Sequence, residues 1–241
     1  MQAALLEVRG LTKSYGRLCV VDQLTLRVGA GEALGVVGPN GAGKTTLFSL
    51  IAGAVAADAG AVLLSGRDIT ALPPEARVVS GIARTHQIPK PFANLSVFEN
   101  ALVGACFARK LSEREATPLV AEVLRTTGLL SRAGRLAASL PLLDRKRLEL
   151  ARALACAPRL LLLDEIAGGL TLGECQELVA LVRDINVQGV AIVWIEHVVH
   201  ALISATRRLV AMNFGRIVAD GAPSQVMASR EVREIYLGAT L

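Results

Sequence analysis

Residues 5–9 and 24–28 alternate apolar and polar positions, the period of a half-buried strand. The polar stretch Lys13-Ser-Tyr-Gly-Arg17 between them predicts a turn. Gly29-Ala-Gly-Glu32 predicts another, which leads into the continuous apolar run Ala33-Leu-Gly-Val-Val37. Runs of that kind belong to strands buried on both faces, and Arg159-Leu-Leu-Leu-Leu-Asp-Glu165 and residues 190–195 have the same form. The stretch Thr46-Leu-Phe-Ser-Leu-Ile51 predicts a helix that stops at Gly53. Residues 61–64 predict a short strand, closed by a turn at Ser65-Gly66-Arg67-Asp68. Pro73-Pro74 suits a helix start, and residues 81–87 predict a strand running into a loop at Gln87.

Beyond Pro89 and Pro91 the pattern changes. Residues 97–107, 113–128 and 144–157 carry apolar residues at three- and four-residue spacing, which predicts helices. Strands and helices then alternate again. The pattern predicts a helix over 174–186, a second over 197–205, and a strand pair over 209–212 and 216–219. A short helix over 223–228 and a last turn over 231–237 follow. This alternation predicts an α/β fold with a mainly parallel sheet covered on both faces. The expected organisation is one domain over residues 1–241. Residues 1–87 and 157–241 form its core, and residues 88–156 form an inserted helical subdomain.

Composition changes this picture in three places. Half of the 241 residues are apolar but only 3% are aromatic, so the core volume is expected to come from Leu, Val, Ile and Ala. The mean hydropathy of +0.48 raises the question of membrane spans. The longest candidate, residues 189–205, is interrupted by Glu196, His197 and His200, so no bilayer crossing is expected. No secretory signal is expected either, because Met-Gln-Ala-Ala-Leu-Leu-Glu lacks a basic region before an apolar core. Cys19, Cys106, Cys156 and Cys175 have neither paired nor metal-like spacing, which fits reduced thiols. The net charge of +5 suits phosphates, a membrane surface or nucleic acid. No arginine-rich run with interleaved aromatics occurs, so nucleic acid is not an expected partner.

The chemistry centres on Gly38-Pro39-Asn40-Gly41-Ala42-Gly43-Lys44-Thr45-Thr46, placed between a buried strand and a helix. The spacing G-x-x-x-x-G-K-T is that of a phosphate loop. Glycines let the backbone curl so that several N–H groups face one anion, and the helix start adds its positive end. Lys44 can reach β- and γ-phosphates, and the Thr45 hydroxyl can ligate Mg²⁺. A buried strand ending in Asp164 places a second Mg²⁺ ligand at the same sheet edge. Glu165 beside it can polarise an attacking water. Taken alone, this acidic pair would read as a strand followed by a helix cap. Gln87 offers a neutral amide for Mg²⁺ and water, His197 an imidazole donor for a γ-phosphate, and Tyr15 a ring on which adenine can stack.

The order of these residues resembles the ATP-binding subunit of ABC transporters over almost the whole chain. Tyr15 matches the A-loop and Gly38 to Thr45 Walker A. Gln87 matches the Q-loop, residues 160–164 Walker B with Glu165 as its catalytic glutamate, and His197 the switch histidine. Within the family the chain is most similar to the branched-chain amino acid importer type. The strings behind this are Arg84-Thr-His-Gln87, Leu95-Ser-Val-Phe-Glu-Asn100, Arg147-Leu-Glu-Leu-Ala-Arg-Ala-Leu154, Trp194-Ile-Glu-His197 and the ending Ile235-Tyr-Leu-Gly238. The resemblance implies a P-loop NTPase (RecA-like) fold, with an antiparallel β subdomain and an inserted α-helical subdomain. It implies a Mg-dependent ATPase that binds ATP and drives uptake of branched-chain or related amino acids or amides. It also implies transmembrane permease subunits, a second ATPase subunit or a second copy of this chain, a solute-binding protein, and a peripheral place on the cytoplasmic face of the membrane.

Three departures stand out. Leu140-Pro-Leu-Leu-Asp144 replaces the family's Leu-Ser-Gly-Gly-Gln signature, removing a serine hydroxyl and two glycines. Ile166 follows Glu165 where proline is usual, and Thr171 stands where an aspartate is common. In the family the signature completes the ATP site of the opposite subunit. The alternative expectation is therefore a nucleotide-binding regulatory half of an asymmetric heterodimer.

Overall fold

The computed structural model describes residues 4–237; the first three residues and Gly238, cited above, lie outside the described residues. Two sheets form. β1 (Ala4–Tyr15), β2 (Leu18–Gly29), β4 (Ala59–Leu64) and β5 (Arg67–Asp68) make a four-stranded sheet in the order β2-β1-β4-β5. Its named pairings are all antiparallel. β3 (Ala33–Val37), β6 (Ile82–Arg84), β7 (Leu160–Asp164), β8 (Ala191–Ile195), β9 (Arg208–Asn213) and β10 (Arg216–Gly221) make a six-stranded sheet in the order β10-β9-β3-β8-β7-β6. That sheet is parallel except for the β9–β10 edge pair.

The helices are α1 (Lys44–Ile51), α2 (Pro74–Val79), α3 (Val97–Arg109), α4 (Glu113–Thr126), α5 (Leu142–Ala155), α6 (Leu172–Val187), α7 (Val199–Ala205), α8 (Pro223–Ala228) and α9 (Arg230–Leu237). Single 3-10 turns at Leu130–Arg132 and Ala137–Ser139 link α4 to α5. Among the described residues, no helix is long and apolar enough to cross a membrane.

The buried strands read as continuous apolar runs because alternate residues serve two cores. On β7, Leu160 and Leu162 join the cluster shared with α1 and the antiparallel sheet, while Leu161 and Leu163 join the cluster under α5, α6 and α7. β8 divides in the same way: Val193 and Ile195 face the first cluster, Ile192 and Trp194 the second. A third cluster holds α3, α4 and α5 together through Val97, Val120, Leu124 and Leu148. The largest fully buried side chains are Trp194 and Phe48, so two of the few aromatics carry more of the core than composition predicts.

Several boundaries differ from the sequence expectation. The stretch 13–17 is mostly strand: Tyr15 pairs with Leu18, and the hairpin turns at Gly16 and Arg17 alone. Arg67 and Asp68 pair with Leu64 and Leu63 and form β5 rather than a turn. β6 ends at Arg84, so Gln87 lies in a loop three residues beyond it. α5 starts at Leu142, two residues early, and the helix expected from His197 starts at Val199. Each misplaced end is a junction where hydrophobic period gives no boundary and hydrogen bonding to a neighbour decides.

Candidate active site

β3 delivers the chain into the loop 38–43, and α1 begins at Lys44. The loop's curl depends on glycine at two positions in particular. Gly43 has φ +96, and a Cβ there would meet the Val20 carbonyl oxygen at 2.3 Å. At Gly38 (φ +153) a Cβ would meet the Met212 carbonyl oxygen at 2.3 Å. The loop is thus seated between β2 and the β9–β10 hairpin. Gly215 fixes it there by donating its N–H to the Ala42 carbonyl at 3.1 Å.

The loop encloses a cavity of about 170 Å³ lined by Val20, residues 40–46 and Glu165. Lys44 is buried, and its ammonium donates to the Gly38 and Pro39 carbonyls at 2.7 and 2.9 Å. Burial pushes the Lys44 pKa below its ordinary value, while the carboxylates of Glu165 and Asp164 pull it back up. A buried ammonium at the start of a helix, in a glycine-bent loop, is the chemistry of a phosphate site.

The two acids diverge at the end of β7. Asp164 is buried at 3% exposure and its carboxylate accepts from Arg84 Nη2 at 2.7 Å. Its backbone N–H donates to Thr85 Oγ1 at 3.3 Å. Glu165 takes a left-handed backbone, φ 48, which costs a non-glycine residue about 1 kcal/mol or more. That turn aims Glu165 into the cavity while Asp164 stays against β6.

Three expected site residues converge there. Gln87 Nε2 donates to Glu165 Oε2 at 2.5 Å, and His197 Nε2 lies 2.6 Å from Glu165 Oε1. Residues 78 and 32 positions apart from Glu165 meet on one carboxylate because β6, β7 and β8 are neighbours in the sheet. Thr45 and Thr46 sit at the start of α1, with Thr45 exposed beside the cavity. Tyr15 stands apart. It lies at the tip of the β1–β2 hairpin, 52% exposed, with the Lys13 ammonium 5.7 Å over its ring, and it does not line the phosphate cavity.

Sequence reasoning missed four contributors. Arg84 pairs with Asp164 and also donates to Ser49 Oγ on α1 at 3.1 Å. Thr85 steadies the Asp164 backbone. Lys146, from α5, is 4% exposed and its ammonium reaches the Gln87 carbonyl at 3.5 Å. Glu196, 2% exposed, accepts from the Ala167 N–H at 2.6 Å and the His197 N–H at 3.2 Å. The available signal was a charged residue directly at the end of an apolar strand, at Arg84 and Glu196.

The set also fits a magnesium ion. Among the described residues no group of three or more His, Cys, Asp or Glu side chains forms a metal cage. The groups expected to hold it are the Thr45 hydroxyl in the cavity lining, the Gln87 amide oxygen and the Asp164 carboxylate, which pairs with Arg84 here; all three are hard oxygen donors of the kind Mg²⁺ takes.

Residues 21–168 match the family model described as ABC transporter. The chain is 35% identical to the lipopolysaccharide export system ATP-binding protein LptB of Acidithiobacillus ferridurans, over 97% of each chain. It is 34% identical to the high-affinity branched-chain amino acid transport ATP-binding protein BraF of Pseudomonas aeruginosa, over 99% of each. Among solved structures, the ADP conformation of an ATP-binding cassette of an ABC transporter superposes with a TM-score of 0.89 at 28% identity, covering 98% of this chain and 99% of that one. With a phosphate loop on one side of Glu165 and Gln87 and His197 on the other, and with relatives matched end to end, the chain belongs to the ABC transporter family as one of its ATP-binding ATPase subunits.

Proposed function

We propose that this chain hydrolyses ATP to power an importer of branched-chain or related amino acids or amides, from the cytoplasmic face of the membrane. The observation that carries the chemistry is the convergence of Gln87 and His197 on Glu165 at the wall of the phosphate-loop cavity. In this reading the loop N–H groups and Lys44 hold the β- and γ-phosphates, with Lys44 exchanging its two carbonyl partners for phosphate oxygens. Thr45, Asp164 and Gln87 would hold Mg²⁺, which when bound neutralises phosphate charge. Glu165 takes the proton of the attacking water. Gln87 orients that water, and His197, released from Glu165, donates to the γ-phosphate. Tyr15 offers its free ring face to adenine.

The direction of transport and the solute rest on the sequence strings around Gln87, Asn100, residues 147–154 and His197. The relatives at 34–35% identity include both an export and an amino acid uptake subunit. We place a membrane partner at the groove of about 190 Å³ between β6, α3 and α5, whose lining includes His86, Phe92, Val103 and Arg152. Of its lining, Phe92 and Val103 are exposed, as are Ile88 on the same loop as Phe92 and Phe107 on the same helix as Val103. The loop after Gln87 is bolted to this groove: Glu149 accepts from the Lys90 N–H at 2.7 Å, and Arg152 donates to the Lys90 carbonyl at 2.8 Å while its guanidinium lies 4.9 Å over the Phe92 ring. A shift at Gln87 is thereby handed to residues 88–156, which act as the helical subdomain between the nucleotide core 1–87 and 157–241 and the permease. A solute-binding protein would act one step further out.

Glu165→Gln tests the chemistry. ATP binding is expected to persist, with hydrolysis about 10²–10⁴-fold slower; unchanged turnover removes Glu165 as the base.

A second reading has its own observation. Pro141, Leu142 and Leu143 form the N-cap and first turn of α5, which has no side-chain cap, and Leu142 is 41% exposed. The end of α5 that the family aligns with a partner's γ-phosphate thus presents leucine where hydroxyl and glycine are usual. In this reading the chain is the regulatory half of an asymmetric heterodimer. Its own loop site is complete, and the site it completes for the related subunit is weak.

A further inference from the structure

Beneath Glu165 lies a layer of charge that neither the phosphate site nor the partner groove requires. Lys146 rises from the second turn of α5 into the space under Gln87, where 4% of it remains exposed. Its ammonium meets the Gln87 carbonyl at 3.5 Å. Burying an ammonium is costly unless opposite charge lies close. Burial pushes the Lys146 pKa below its ordinary value, and the carboxylates of Glu196 and Glu165, beyond ion-pair contact, pull it back up.

Glu196 is buried more completely still, at 2%, and both its oxygens are committed. Oε1 accepts from the Ala167 N–H, two residues beyond Glu165, and Oε2 accepts from the N–H of His197. One carboxylate thus ties down the turn that follows Glu165 and the backbone that carries the histidine. One ammonium ties α5 to the backbone that carries the glutamine. Gln87 and His197 each touch Glu165 with their side chains, and the backbones on which these three residues stand are tied by Lys146 and Glu196.

We infer that Lys146 and Glu196 are two buried positioning residues for hydrolysis, Lys146 acting on the backbone of Gln87 and Glu196 on the backbone around Glu165 and His197, and that Lys146 links this geometry to the position of α5. Neither touches the substrate. Their effect runs through placement, so they act on turnover rather than on nucleotide binding. Lys146 is the contact by which α5, at whose start Leu142 stands, reaches the Gln87 backbone itself, while Glu149 and Arg152 hold the same loop further on at Lys90.

The inference rests on the reading of Glu165 as the water-activating group, and the test separates the two. In the full-length chain with MgATP, Lys146→Met is expected to lower kcat about 10–100-fold, the size of effect that small misplacements of reacting groups produce, with KM little changed. Lys146→Arg is expected to restore most of the rate. Glu196→Gln is expected to lower kcat and to speed amide hydrogen exchange at Ala167 and His197 about tenfold or more, while exchange at Val36 in β3 stays unchanged. In a Glu165→Gln background, Lys146→Met is expected to cost nothing further. Wild-type kcat in Lys146→Met overturns the inference, as does a loss that Lys146→Arg does not relieve. If Lys146→Met does not fold, Lys146→Gln, which keeps a donor without the charge, decides on the same criterion. If Glu165→Gln keeps full turnover, the reading of the base fails, and the exchange rates at Ala167 and His197 still decide whether Glu196 positions them.

Discussion

At the scale of single residues, the glycines of the phosphate loop are not equivalent. Gly41 and Gly43 both have positive φ, +81 and +96, but a Cβ at Gly41 meets nothing within 4 Å, whereas at Gly43 it meets the Val20 carbonyl oxygen at 2.3 Å. Gly41→Ala therefore pays only for a left-handed backbone, about 1 kcal/mol. Gly43→Ala must in addition push the loop away from β2. Nucleotide titration is expected to show a modest loss for Gly41→Ala and at least about tenfold weaker binding, near 1.4 kcal/mol, for Gly43→Ala. Equal losses would show that packing against Val20 does not shape the loop. Two familiar residues also have mundane explanations. Thr171 replaces an expected aspartate but still accepts from the Glu174 N–H at 3.3 Å as the N-cap of α6. Asn100 is fully buried because it brackets Phe92, its Oδ1 accepting the Phe92 N–H and its Nδ2 donating to the Phe92 carbonyl.

At the scale of elements, helix ends carry the informative chemistry. α1 has no basic residue in its own last turn, and Arg77 from α2 supplies one. Its guanidinium, 3% exposed, donates to the Leu50, Ile51, Thr70 and Leu72 carbonyls at 2.7–2.9 Å. A cation on the negative end of the helix that starts the phosphate loop stabilises that helix. Arg77→Met takes a charged donor from four carbonyls, of which Leu50 still accepts from the Gly53 N–H, and is expected to cost about 3 kcal/mol in a denaturant melt. α3, α4 and α6 each start with a full capping box, Ser96/Glu99, Ser112/Glu115 and Thr171/Glu174. The side-chain bond from the serine lowers the carboxyl pKa of Glu99 and of Glu115, and the Thr171 backbone bond lowers that of Glu174, each from 4.5. The folded state therefore binds these protons less readily than the unfolded chain. Their contribution is present above pH 4.5 and is lost as pH falls through the lowered values. A triple variant Glu99→Gln, Glu115→Gln, Glu174→Gln is expected to lose less stability than the parent between pH 5 and pH 3, measured by melting temperature. Parallel curves for the two proteins would refute the assignment.

At the scale of the whole molecule, the central sheet holds the phosphate loop against one core and the helical segment against another. Asp164 and Glu165 stand at the strand end between them. At the start of α5, Pro141 and Leu142 are exposed while Asp144 is buried, and the leucines of this turn govern the asymmetric reading. Replacing Pro141, Leu142 and Leu143 by Ser, Gly and Gly is expected to raise ATPase activity in the assembled transporter and to leave the isolated chain unchanged. The two added glycines should lower the melting temperature, since each costs about 1 kcal/mol in a helix. No rise in the assembled complex would remove the asymmetric reading.

The sequence alone determined what is local. The glycine spacing of 38–43, the apolar runs that become β3, β7 and β8, and the change of period after Pro91 each express steric or hydrophobic rules acting over a few residues. They were enough to find the phosphate loop, the acidic strand end and the helical stretch. Only the tertiary structure decided that Gln87 and His197 close on Glu165, that Arg84 claims Asp164, and that Lys146 and Glu196 lie beneath them. Those pairings join residues brought together by strand order and helix packing. A buried charge is costly without a close partner, and where that partner comes from another element, as Arg84 does for Asp164, no periodicity along the chain records which element that is.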